Sequence, residues 1–95
     1  MRMKISELLT DESKWCTNAF ALNADYDPVK TDSAEARQWC MYGAASKCEY
    51  EAEDMRDLLQ KAFALLGITE GITDWQDEPG RTFAEVQSLL LSIGH

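Results

Sequence analysis

The sequence predicts an all-α fold: a compact single-domain bundle of four to five short helices over residues 1–95, with a small extended loop or hairpin allowed near residues 21–30. Three observations predict it. Apolar residues recur three and four positions apart in several segments, the period of a helix with one buried face. Two polar boxes, Asp32-Ser33-Ala34-Glu35 and Thr82-Phe83-Ala84-Glu85, have the form that opens helices, and Gly67 and Gly94 stand where stripes end. The chain is 45% hydrophobic with two prolines and five glycines, which excludes a disordered or turn-dominated chain. A chain of 95 residues is long enough for one modest core and too short for two.

The elements follow in order. Ile5, Leu8 and Leu9 predict a short helix over residues 4–9. Thr10-Asp11-Glu12-Ser13 reads as a break and a new N-cap. Trp15, Cys16, Ala19 and Phe20 predict a second short helix, weakened by Thr17 and Asn18. Residues 23–28 are turn chemistry: Asn and Asp bond their own backbone, and Pro28 lacks a donor. The box at Asp32 predicts a third helix to about Lys47, with Ala36, Trp39, Cys40, Gly43 and Ala44 on one face. Gly43 and the alanines read there as a notch for close approach of another helix. Ala52, Met55, Leu58, Leu59, Ala62, Phe63 and Leu66 make the longest stripe, closed by Gly67. Residues 68–80 read as a connector in which Ile72 and Trp75 tuck onto the core as one helical turn. Thr82 and Glu85 cap a last helix whose stripe is Val86, Leu89, Leu90 and Ile93.

Charge narrows the function. Seventeen acids oppose nine basic residues, a net charge of −8. Direct binding to nucleic acid or an anionic membrane depends on Lys and Arg, so neither is expected. A protein partner with a basic surface is expected instead. No apolar run is long enough to span a membrane, and the first nine residues lack the apolar stretch of a secretory signal. The expected compartment is cytoplasmic. Cys16, Cys40 and Cys48 are odd in number, which excludes a complete set of internal disulfides, and reduced, buried thiols are expected. The sole histidine, His95, is the last residue and is expected to fray. A zinc site and thiol catalysis are therefore not expected, and neither is any cofactor.

Three segments carry a resemblance. They are Trp15-Cys16, then Trp39-Cys40-Met41-Tyr42-Gly43-Ala44, then Trp75-Gln76-Asp77-Glu78-Pro79-Gly80-Arg81-Thr82. With the loop from Ala21 to Val29 between them, the sequence resembles a family of small bacterial and phage proteins classed as a domain of unknown function. The family pattern reads W-C or W-T, A-x-x-A-D-x-x-P-V, W-C-x-x-G-A and W-N-D-x-x-G-R-T. Here Gln76 replaces the Asn, and Tyr26-Asp27 stands where a D-G turn is common. The resemblance spans about residues 15–93 and implies a domain, with no activity or cofactor attached.

Two regions are candidate contact surfaces. One is the acidic run Glu49, Glu51, Glu53, Asp54 and Asp57, although acid runs at a helix start are usually a solvated face. The other is Trp75, Asp77, Glu78 and Arg81, an aromatic anchor with polar neighbours. A structural role competes there: Trp75 covering the core, Asp77 pairing with Arg81 across the Pro79-Gly80 turn, and Thr82 capping. The expected function is a non-catalytic acidic protein-interaction module, monomeric or homodimeric. Its sharper form is a phage-type inhibitor that occupies the basic groove of a host or defence nucleic-acid enzyme. The alternative is a small ligand-binding domain or enzyme using the region of Trp39 and Trp75.

Overall fold

The structure, a computed structural model, describes residues 3–68 and 71–95. Met1, Arg2, Thr69 and Glu70 lie outside the described residues, so the N-terminal reading and the middle of the expected connector are covered only in part. Five α-helices occur among the described residues: α1 (Ile5–Leu8), α2 (Met41–Lys47), α3 (Ala52–Leu66), α4 (Ile72–Gln76) and α5 (Phe83–Ile93). A 3-10 turn spans Glu12–Lys14, and two short strands, β1 (Ala21–Leu22) and β2 (Gln38–Trp39), pair antiparallel. The all-α expectation is thus corrected: the protein is a small helical domain with a two-stranded sheet.

The long helices form where the stripes and caps place them. In α3 the Asp54 carboxylate accepts from the Glu51 N–H at 2.9 Å, satisfying a donor that the first turn leaves orphaned. Leu58 and Ala62 are buried, while Met55, Leu59, Phe63 and Leu66 flank the core. Gly67 ends the helix in the left-handed region at φ 66°, a conformation that costs a side-chain-bearing residue. In α5 the Thr82 hydroxyl accepts from the Glu85 N–H at 3.2 Å, and the Glu85 carboxylate accepts from the Thr82 N–H at 3.1 Å. Val86, Leu89, Leu90 and Ile93 fill the core from this helix. Helix α5 packs on α1 and α3, and α2 packs on α1 and α4.

Two expected helices do not form as expected, for one shared reason. The Trp15-to-Phe20 segment is extended and bent, with Asn18 at φ 63°. Its backbone groups need partners outside a helix. Residues 37–40 supply them. Arg37 N donates to Leu22 O at 2.8 Å, Cys16 N to Trp39 O at 3.2 Å and Cys40 N to Phe20 O at 3.3 Å. That ladder needs an extended chain at Gln38–Trp39, so the helix expected from Asp32 to Lys47 starts only at Met41. The Asp32 box is instead a run of turns: Ser33 N bonds Lys30 O and Ala36 N bonds Ser33 O. The Cys40 thiol takes over as N-cap, accepting from the Gly43 N–H at 3.2 Å. Trp39 is buried and donates its indole N–H to Thr31 O at 2.9 Å.

The loop near residues 21–30 is present. The Asn23 side-chain oxygen accepts from the N–H groups of Asp25 and Asp27, both at 2.9 Å, and the chain returns so that Val29 N bonds Ala21 O. The notch at Gly43 is also present, but no helix fills it. The backbone of Phe20 does: a Cβ on Gly43 would lie 1.9 Å from the Phe20 carbonyl oxygen.

Candidate functional site

The Trp75–Thr82 segment is built around one buried amide. Helix α4 ends at Gln76, which is 1% exposed. Its side-chain oxygen accepts from the Trp15 indole N–H at 3.1 Å and from the Met41 backbone N–H at 2.7 Å. Its amide nitrogen donates to Asp77 Oδ1 at 2.5 Å. Two N–H groups on one side and a carboxylate on the other fix which end is oxygen. Asp77 Oδ1 also accepts from the Asn18 backbone N–H at 3.1 Å. Trp15, Met41 and Gln76 belong to the three separate sequence motifs, so the motifs meet at this amide.

Arg81 completes the segment on its other side. Its guanidinium carbon lies 4.0 Å from the centre of the Trp75 ring. Its Nε–H donates to Trp75 O at 2.9 Å, and its terminal nitrogen pairs with Glu85 at 2.7 Å. The expected Asp77–Arg81 pair is corrected: Asp77 bonds Asn18 and Gln76, while Arg81 bonds Trp75 and Glu85. Trp75 is 6% exposed and covers the core, while Glu78 is exposed in the turn. Thr82 caps α5 as expected.

The acidic run divides. Glu49, Glu51 and Glu53 are exposed, with Glu49 at φ 63° just before α3. Asp54 serves the start of α3. Asp57 is engaged: His95 Nε2 lies 2.8 Å from Asp57 Oδ2 and Lys61 Nζ lies 3.0 Å from it. The hydrogen bond from His95, then that from Lys61, holds the Asp57 carboxyl below its ordinary range. His95 Nδ1 meets the Tyr50 hydroxyl at 2.8 Å. A carboxylate only accepts, so Nε2 carries the proton, and in the neutral ring Nδ1 accepts from Tyr50. The expected fraying of His95 is corrected: its N–H bonds Leu90 O, its carbonyl takes the Ser6 N–H, and its side chain is 11% exposed. Sequence spacing carried no signal for a contact spanning 38 positions.

All three cysteines are free and buried. Burial pushes the Cys16 thiol up to about 12, with Cys40 and Asp77 adding to it. Burial pushes Cys48 up to about 11 and raises Cys40, where backbone N–H groups of Gly43 and Tyr42 pull the other way. Such thiols are poor nucleophiles at neutral pH. Among the described residues no group of three His, Cys, Asp or Glu side chains could hold a metal ion. Among them, too, no helix is long and apolar enough to cross a membrane.

Trp39 and Trp75 are both buried, and neither lines the two cavities that open around Phe20. One, of about 530 Å³, is lined by Phe20, Ala21, Pro28, Val29, Cys40 and Asp77 among others. A second, of about 870 Å³, shares Phe20, Pro28 and Val29 and continues to Lys30, Lys47 and Glu49. Phe20 is 58% exposed on the ridge between them, its ring 6.0 Å from that of Tyr42.

No curated protein and no solved structure matches the chain. Residues 3–93 match a family of unknown function, DUF6197. With nearly its whole length matched, the chain belongs to the DUF6197 family.

Proposed function

We propose that the protein is a non-catalytic, acidic protein-interaction module whose partner presents a basic surface. The observation that carries this reading is the net charge of −8 on 95 residues. Charge of this size steers association with an oppositely charged partner. Glu49, Glu51 and Glu53 are exposed together at the start of α3 and form the proposed contact surface. Supporting it, polar groups of Gln76 and Arg81 that a catalytic reading would use are bonded to neighbouring residues. The sharper form of the proposal is a phage-type inhibitor seated in the basic groove of a nucleic-acid enzyme.

The test begins with capture of partners from a host lysate, followed by binding of the purified pair at rising salt. Affinity is expected to fall steeply with ionic strength and to weaken in the double variant Glu49→Gln, Glu53→Gln. Among the described residues neither side chain holds a cap or an ion pair, so the variant should fold normally. Affinity that ignores both salt and the two substitutions would sink the proposal. A captured enzyme whose nucleic-acid binding is blocked would support the sharper form.

A further inference from the structure

We propose that the 530 Å³ cavity beside α4 is a binding site for an alkylammonium group, with Asp77 as its counter-charge. The cavity falls within the size range of small-ligand sites, about 300–1,000 Å³. Its walls are apolar: Ala19, Phe20, Ala21, Pro28 and Val29. Asn18, Cys40, Thr73 and Asp77 supply its polar side, and among the described residues Asp77 is its one carboxylate. A cation on an apolar stem matches that lining.

The geometry of Asp77 selects among cations. Oδ1 is committed, accepting from the Asn18 N–H and the Gln76 amide. Among the described residues no hydrogen bond reaches Oδ2. A guanidinium favours both oxygens of a carboxylate at once. An ammonium is a compact point charge that needs only one. The two bonds to Oδ1 also hold the carboxylate still, so its free oxygen is set in place before a ligand arrives. The segment at 18–21 forms one wall, and it lies close to α2 only because Gly43 has no side chain. The site is therefore built by the fold. It does not depend on the acidic surface at α3 or on the interaction reading.

The ammonium group has two natural sources, a free amine or a lysine side chain of a partner, and the test separates them. The probe is n-butylammonium chloride, titrated into ¹⁵N-labelled protein and followed by amide chemical shifts. Saturable shifts are expected at Asn18, Ala21, Cys40, Thr73 and Asp77. n-Butanol of the same length is expected to bind about tenfold or more weakly, a difference of about 1.4 kcal/mol, and butyrate not at all. Asp77→Asn should abolish the preference for the cation, while Glu12→Gln, at an exposed acid outside both sites, should leave it intact and so exclude general attraction to an acidic protein. Equal binding of butanol and butylammonium by the native chain would overturn the proposal, as would no saturable shift with butylammonium. Those two outcomes need no variant, so a misfolded Asp77→Asn cannot rescue it. Binding of Nα-acetyl-lysine methylamide with the same shifts would point to a partner's lysine. Its exclusion, with butylammonium still bound, would point to a free amine.

Discussion

Gly43→Ala is expected to destabilise the protein, although the same change in an exposed helix stabilises it by about 1 kcal/mol. Gly43 lies inside α2, and its backbone is helical. A Cβ there would sit 1.9 Å from the Phe20 carbonyl oxygen, 2.7 Å from its carbon and 3.1 Å from its Cα. Ordinary contact begins at 3.4 Å, so the oxygen must retreat by about 1.5 Å (3.4 less 1.9). The obstacle is backbone, which cannot swing aside as a side-chain tip can. Retreat would also stretch the 3.3 Å bond from Cys40 N to Phe20 O, next to the β1–β2 pairing. Overpacking of this kind costs about 1–3 kcal/mol, and the lost hydrogen bond about 1 kcal/mol more. Against the helix gain, the net loss is about 1–3 kcal/mol. In a domain of this size each kcal/mol moves Tm by about 4–8 °C. Thermal melting followed by circular dichroism should therefore show a fall on the order of 10 °C. Gly67→Ala is the internal control. It meets no atom within 4 Å and suffers only the strain of φ 66°, about 1 kcal/mol. A Gly43→Ala protein that melts at or above the wild type would refute the close approach of Phe20.

Three further outcomes are expected. The thiols of Cys16, Cys40 and Cys48 are buried and their ionisation is pushed up, so an aromatic disulfide reagent at neutral pH should leave them unmodified in the native protein and label all three after denaturation; rapid labelling of the native chain would contradict this. The folded-state pKa of Asp57 lies below its unfolded value, so its ionised form stabilises the fold above the unfolded carboxylate range, near pH 4, and that contribution is lost as pH falls through the lowered value. Asp57→Asn should accordingly melt below the wild type at neutral pH, with the gap closing under strong acid; a gap that stays constant would show that the contact with His95 and Lys61 contributes nothing through charge. Arg81→Lys keeps the charge but loses the stacked plane over Trp75 and the Nε bond to its carbonyl, a loss of about 1 kcal/mol; a melting curve superimposable on the wild type would count against that role.

The parts of the fold legible in the sequence are those decided locally. Helices α3 and α5 carry uninterrupted stripes, a cap at each start and a left-handed glycine at each end. Each of those signals acts within a few residues. The Asp32 box failed because a capping box states only a local preference. Trp39, seven residues on, has its extended backbone claimed by Ala21 and Trp15. Phe20 misled for a related reason. It keeps helical spacing with Cys16, yet it is exposed, and what the core needs from it is its backbone against Gly43. Gly43 was recognisable as a notch, but not what would fill it. At the candidate site, the structural reading of Trp75 and Thr82 was legible from their neighbours. The partners of Asp77 were not, because Asn18 lies 59 positions away. Gln76 was visible only as a departure from the family pattern. Its role required knowing that Trp15 and Met41 converge on it.

That convergence is the central structural claim: the three tryptophan motifs are joined at the Gln76 amide, which the fold needs. Thermal melting of Gln76→Leu tests it most directly. Leucine fills similar space but leaves the buried Met41 N–H and the Trp15 indole N–H without their acceptor. Each orphaned donor costs about 1–3 kcal/mol. A fall in Tm on the order of 10 °C or more is expected, with loss of the native near-ultraviolet tryptophan signal at lower temperature. A variant that melts within about 2 °C of the wild type would contradict the account and return the motif to a functional role.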